Sequence, residues 1–163
     1  MFLFGCVSYQ VKVIKDDFDG HTIYEMEGNA LENMTLSYNQ LQLNLQKFVK
    51  DGNEEFSLIA MYFSPDWIFI EEGESLKLIV DGEKITLSSK KGSQGHREVF
   101  SGTIREMAWY DIDIETIRKL AFGKEGKVKI IGDKYFDEYI IGKNNFVIFN
   151  KFYTEHIVKS GKK

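Results

Sequence analysis

The densest group of side chains with potential chemistry is an acidic run near the start of the chain. Asp16–Gly20 contains three aspartates before its glycine, and grouped carboxylates are candidate ligands for Ca²⁺. A calcium loop of the EF-hand type with Gly20 at its sixth position would begin at Lys15 and end at Met26, where it needs an acid and a glutamate. The motif therefore fails, and the favoured interpretation is a solvated turn between two strands with no metal.

Three histidines and one glutamate are the candidate proton carriers. His21, His96 and His156 show no pair at the four-residue spacing of metal ligands on a helix, and no serine lies in a Gly-x-Ser-x-Gly motif. Glu106 lies beside aromatic residues in the run Arg105–Tyr110. A hydrolase that uses His21, His96 or Glu106 is therefore the alternative interpretation. The favoured roles are a half-buried packing residue for His156 and a strand edge before a helix for Glu106.

Aromatic residues are concentrated around Pro65, the only proline in the chain. Tyr62 and Trp67 flank this proline, and Trp109 lies in a later aromatic run. Aromatic side chains are enriched at recognition surfaces, so Tyr62, Trp67 and Trp109 are the candidate surface for a ligand or for a protein or peptide partner. The aromatic group around Pro65 also fits a hydrophobic core, which is the favoured interpretation.

The composition is that of a folded globular chain. Of 163 residues, 43% are hydrophobic and 14% aromatic, which excludes a disordered protein. Twenty-one basic and 25 acidic residues give a net charge of −4, which argues against a nucleic-acid partner. The single cysteine excludes an internal disulfide and, with the histidines, offers no zinc-binding spacing. No cofactor motif is present, so no cofactor is predicted.

Strands are predicted through most of the first two thirds of the chain. Leu41, Leu43 and Leu45 alternate with polar residues, as in a strand with one buried face. Asp81 and Gly82 favour the positive backbone angles of a tight hairpin turn. The predicted extended segments are 11–15, 22–27, 40–46, 56–63, 67–70, 75–80, 84–88, 99–110, 128–131 and 135–141.

Two helices are predicted in the last third, at 113–122 and 145–158. Asp113 can cap the first helix, and the second carries an apolar stripe through Phe146, Phe149 and Phe152. The fold class is therefore α+β, with a mainly antiparallel β-sheet built from hairpins and two helices. A β-sandwich with peripheral helices is the alternative. The domain prediction is a tether at 1–10, one β-rich domain at 11–158 and a disordered basic tail at 159–163.

Cys6 is the only cysteine, and it ends the run Leu3–Cys6. A leucine three positions before a lone cysteine and a glycine directly before it resemble the lipobox of bacterial lipoproteins. Together with the hairpin at Leu76–Lys84, the run makes the chain similar to small uncharacterised bacterial envelope lipoproteins. The resemblance implies a lipid attached to Cys6 and a location at the bacterial cell envelope, and it supplies no catalytic residue. A cytoplasmic protein with Cys6 as a reduced thiol is the alternative.

These observations together favour a protein without enzymatic activity. The prediction is a lipid-anchored binding or accessory module of the cell envelope, held at the membrane through Cys6. Its expected partner is a protein or peptide, and no nucleic acid is expected.

Overall fold

The computed structural model describes residues 9–35 and 37–159, which form two antiparallel sheets and two helices. The strands in chain order are β1 (Gln10–Asp16), β2 (His21–Glu27), β3 (Glu32–Asn33), β4 (Gln40–Lys50), β5 (Asn53–Ser64), β6 (Gly73–Val80), β7 (Glu83–Ser89), β8 (Arg97–Phe100), β9 (Thr103–Asp111), β10 (Gly126–Ile131) and β11 (Phe136–Ile141). Sheet A has the order β1-β2-β4-β5-β9-β8, and sheet B has the order β3-β11-β10-β6-β7. The predicted α+β class with mainly antiparallel sheet is confirmed.

One hydrophobic core is shared by both sheets and both helices. Helix α1 (Ile114–Phe122) contributes Ile117 and Leu120, and helix α2 (Lys143–Phe152) contributes Phe146, Phe149 and Phe152. The strands therefore divide between two sheets, as in the sandwich alternative, but the apolar faces of the helices belong to the core rather than to the periphery. No helix in the described ranges is long and apolar enough to span a membrane.

The local signals for turns and caps are confirmed. Asp81 and Gly82 have φ values of 49° and 83° at the tip of the β6–β7 hairpin. Asp113 caps α1, because its carboxylate accepts the backbone N–H of Thr116 at 2.7 Å, and this hydrogen bond lowers the pKa of Asp113. The second helix begins two residues earlier than predicted and continues as a π-helical segment, Tyr153–Val158.

Two predicted extended segments differ from the structure. The run predicted at 99–110 is a hairpin of β8 and β9, and it turns at Ser101 and Gly102 with φ values of 48° and 79°. The strand predicted at 67–70 is wrong. This part of the crossover from sheet A to sheet B is irregular: Phe69 has a φ of 55°, and Ile70 forms only an isolated bridge. We call residues 65–72 the crossover segment.

Candidate functional site

Glu106 binds the crossover segment from the interior of the fold. Its side chain is fully buried on the inner face of β9. One carboxylate oxygen, Oε1, accepts the backbone N–H groups of Ile68 at 2.7 Å and of Phe69 at 3.0 Å. The other, Oε2, accepts the N–H of Ile70 at 3.1 Å and the hydroxyl of Ser93 at 2.6 Å. All four hydrogen-bond partners are donors, and the guanidinium of Arg97 lies 3.8 Å from Oε2. Glu106 is therefore a positioning residue that replaces the ladder hydrogen bonds missing from an irregular segment.

The structure does not bring His21, His96 and Glu106 together. The His96 ring packs on Trp109 with 4.4 Å between ring centroids. Trp109 and Glu106 are three positions apart on β9, so they face opposite sides of the sheet. His21 lies at the β1–β2 turn, against Phe48. The three residues of the hydrolase interpretation therefore share no common cavity.

The acidic turn places three metal-ligand types close together. One ligand atom from each of Asp16, Asp19 and His21 lies within 4.8 Å of the other two. Asp16 is already used by the turn, because its Oδ1 accepts the N–H groups of Phe18 at 2.9 Å and Asp19 at 3.0 Å. These backbone hydrogen bonds lower the pKa of Asp16. The geometry is that of the solvated turn favoured by the sequence.

Tyr62 joins the two sheets instead of forming a surface. It is fully buried on β5, and its hydroxyl donates to Asp137 Oδ2 on β11 at 2.5 Å. Asn39 donates to both the Tyr62 hydroxyl and the Asp137 carboxylate at 2.8 Å. Burial, and next the hydrogen bond to Asp137, raise the pKa of Tyr62, so the phenol stays protonated. The prediction of Tyr62 as part of an exposed ligand surface is therefore corrected: this residue is part of the core.

Trp67 and Trp109 occupy separate environments. Trp67 stacks on Phe69 with 5.8 Å between ring centroids, and the Phe69 ring has the cations of Arg97 and Lys134 at 4.8 Å each. Trp109 lies with His96 beside a depression of about 240 Å³ on another part of the surface. Both tryptophans are half-buried, so they remain candidates for partner contact, but they do not form one continuous aromatic surface with Tyr62.

His156 is packed where the π-helical segment covers sheet A. Its ring lies 5.1 Å from the ring of Phe152 and 5.4 Å from that of Tyr24. Its backbone carbonyl accepts the buried ammonium of Lys47 at 2.9 Å, and Lys47 also pairs with Glu54 at 2.5 Å. The half-buried packing role predicted for His156 agrees with this position.

The stability of the protein is expected to decrease on mild acidification because of His156. Burial lowers the pKa of this imidazole, and the charges of Lys47 and Lys159 act in the same direction, while Glu155 opposes them. The unfolded chain therefore binds a proton more readily near pH 6.5 than the folded chain does, so the stabilisation is complete above that pH and is lost below it. Urea unfolding at pH 7.5, 6.5 and 5.5 should show this loss.

The matched substitutions for this pH test are His156→Gln and His21→Gln. The first should flatten the dependence of unfolding free energy on pH between 7.5 and 5.5, and the second should retain it. Equal slopes for the wild type and His156→Gln would contradict this assignment.

A cluster of lysines lies on the outer face of sheet B and continues to the adjoining helix ends. Three neighbouring depressions, of about 540, 560 and 450 Å³, are lined by six lysines and two glutamates, and the first lies on the sheet. The chain as a whole has a net charge of −4, so this concentration of positive charge is local. We call this surface the lysine face, and its lysines are Lys77, Lys84, Lys124, Lys127, Lys129 and Lys143.

The register of sheet B sets two of these lysines against each other. Lys77 on β6 lies directly opposite Lys129 on β10. Like charges at directly opposed positions destabilise a sheet. Within the described ranges, Lys129 is the only lysine of the lysine face with a carboxylate partner, Glu138 at 3.0 Å. The face therefore holds more positive charge than the protein itself neutralises.

The sequence contained part of the signal for this face. In β6 and β10 the lysines alternate with buried residues such as Leu78 and Val128, which places Lys77, Lys127 and Lys129 on outer faces. The pairing of β6 with β10 brings the lysines of both strands together, and these strands are far apart in the chain. Residue spacing along one strand does not reveal that pairing.

Comparison with known proteins gave no relative. No family model, no curated protein and no solved structure matches this chain. The function must therefore be argued from the described residues. The lipid attachment predicted at Cys6 lies outside them.

Proposed function

We propose that the chain is a binding module without enzymatic activity, and that its lysine face binds an anionic partner. The observation that carries the proposal is the opposition of Lys77 and Lys129 above a depression of about 540 Å³ in an overall acidic chain. An arrangement that costs stability in the free protein is expected where a ligand of opposite charge compensates for it.

The distribution of candidate catalytic groups supports a binding role over the hydrolase alternative. Glu106 is engaged by three backbone donors, Ser93 and the guanidinium of Arg97. His96 lies on the other side of sheet A. A hydrolase needs a nucleophile or an activated water, a base and an orienting group within hydrogen-bond reach of one another. The candidates named from the sequence do not meet this requirement.

The lipid attachment at Cys6 and the envelope location are part of the same proposal. Tyr9 is the first described residue, and its ring lies under the ammonium of Lys151 at 4.6 Å. Lys143, Val147 and Lys151 recur every four residues, which places them on one face of α2. The described chain therefore begins beside the helix that contributes to the lysine face. The expectation of no nucleic-acid partner stays a prediction.

Binding of inorganic polyphosphate tests the lysine face. We expect the double variant Lys77→Gln/Lys129→Gln to bind polyphosphate about tenfold more weakly than the wild type, a loss of about 1.4 kcal/mol. Its unfolding free energy should change by less than about 1 kcal/mol, because relief of the like-charge pair offsets the loss of the part-exposed ion pair between Lys129 and Glu138. Calorimetric titration at low and high salt measures the affinity, which should decrease as the Debye length shortens.

The matched control is Lys12→Gln/Lys15→Gln on the edge strand β1 of sheet A. This variant has the same change in net charge as Lys77→Gln/Lys129→Gln. Both of its residues are exposed, so the change lies on a different surface of the protein. It should bind like the wild type. An equal loss in both double variants would show that only net charge matters and would overturn the proposal.

A further inference from the structure

We infer that the anionic partner of the lysine face is the phosphate surface of a lipid bilayer, an inference that rests on the proposed function. The lysines are accompanied by exposed apolar side chains within the same three depressions. Phe122 is 61% exposed and Val147 64%, and Met34 and Ile79 are partly exposed on the sheet. A surface on which lysines alternate with exposed apolar groups is suited to the boundary between headgroups and acyl chains.

The two most exposed of these apolar residues lie together beside lysines. Phe122, at the end of α1, and Val147, on α2, line the same depression, together with Lys124 and Lys143. Their side chains can enter the apolar layer while the neighbouring ammonium groups remain at the phosphates. Long lysine side chains reach the interface in this way.

The chemistry of the cations favours a fluid surface over an acidic peptide. No arginine is among the residues that line the three depressions. Arginine provides a rigid fork that holds one carboxylate in fixed geometry, whereas lysine is a flexible point charge. Six lysines distributed over three adjoining depressions therefore fit many mobile phosphates better than a few fixed carboxylates.

The charge of the remaining surface would orient the protein on such a bilayer. The lysine face carries six lysines and two glutamates, whereas the whole chain carries an acidic excess of four. The rest of the molecule is therefore more acidic than the chain average. An anionic membrane would attract the lysine face and repel the other surfaces.

Vesicle binding of the full chain tests the inference. Every sample carries Cys6→Ser, so that no acyl group can contribute. We expect the protein to sediment with vesicles that contain phosphatidylglycerol and not with vesicles of phosphatidylcholine alone. Phe122→Ser/Val147→Ser should lower the vesicle affinity at least tenfold and leave polyphosphate binding unchanged, whereas Lys77→Gln/Lys129→Gln should weaken both.

The matched control is Val99→Ser/Phe100→Ser at the end of β8. These side chains are 67% and 74% exposed, so the variant removes similar apolar surface at a site remote from the lysine face. It should bind vesicles like the wild type. Equal binding to both vesicle types, or a loss in the control and not in Phe122→Ser/Val147→Ser, would overturn the inference.

Failure of the inference and failure of the proposed function give different results. If polyphosphate or polyglutamate binds and phosphatidylglycerol vesicles do not, the lysine face has a soluble anionic partner, so the bilayer inference is wrong and the proposed function stands. If neither soluble polyanion nor vesicle binds, both are wrong.

Discussion

Replacing Glu106 with alanine is expected to lower the free energy of unfolding by about 3–5 kcal/mol, the cost of breaking a buried charged network. The substitution removes the acceptor of three consecutive backbone N–H groups, from Ile68 to Ile70. Ile68 and Ile70 are buried, so water cannot replace the lost hydrogen bonds without opening the segment. Urea unfolding measures the loss, and in a Trp109→Phe background the fluorescence of Trp67 reports on the segment itself.

A more conservative change at this position separates the effect of hydrogen bonding from that of volume. Glu106→Gln keeps the size of the side chain, but its amide group would direct N–H donors toward other donors. We therefore expect this variant to remain destabilised by about 2 kcal/mol or more, because it leaves a buried donor without an acceptor.

Glu98→Ala is the matched control for the charge of Glu106. Glu98 is a half-exposed glutamate on the neighbouring strand β8, and it pairs with Arg105 at 2.5 Å. Its loss should cost less than about 1 kcal/mol, as for other surface ion pairs. A similarly small cost for Glu106→Ala would show that the crossover segment does not depend on this carboxylate.

The position of Glu106 shows what the sequence could predict and what it could not. Glu106 shares the buried face of β9 with Ala108 and Tyr110, but Met107 and Trp109 make the opposite face apolar as well, so alternation in the sequence does not indicate which face is inward. The partner of Glu106 lies 36–38 residues earlier in the chain, and no local pattern specifies that contact.

Sequence signals contained within a few residues predict the local structure correctly. The turn at Asp81 and Gly82, the cap at Asp113 and the alternation of Leu41–Leu45 each depend on one short stretch of chain. Residues 67–70 of the irregular crossover segment have the composition of a strand, but their backbone angles depend on tertiary contacts. Propensity favours extended backbone there, and the packing overrides it.

In the candidate site, too, the features that the sequence does not predict are those that depend on tertiary contacts. The aromatic residues around Pro65 make Tyr62 a candidate surface residue, but Tyr62 is buried and its hydroxyl donates to Asp137 on the other sheet. The lysine face contains ordinary solvated residues when each strand is considered alone. Its charge density arises only when β6 and β10 pair and place Lys77 opposite Lys129. Net charge, which the sequence gives directly, conceals such local concentrations.

Replacing Gly132 with alanine is expected to lower the free energy of unfolding by about 3 kcal/mol, at the upper end for overpacking. A methyl group at this position would overlap the backbone carbonyl oxygen of Ile68 and would also touch its side chain. Gly132, directly after β10, forms the isolated bridge with Ile70. The backbones of the two segments can come this close because Gly132 has no side chain. The atom nearest to the added methyl group belongs to the backbone, so it cannot move aside as the end of a flexible side chain would. Urea unfolding measures the cost.

Gly142→Ala is the control for this substitution, and a double-variant cycle tests the cause. The nearest atom to a methyl group at Gly142 is Asn145 Oδ1 at 3.6 Å, an ordinary contact, so the expected cost is only that of alanine at an N-cap, about 0.5–1 kcal/mol. If Gly132→Ala acts by displacing the segment that Glu106 holds, its cost in a Glu106→Gln background should be smaller than in the wild type. Strict additivity would show that the glycine and the glutamate stabilise separate parts of the fold.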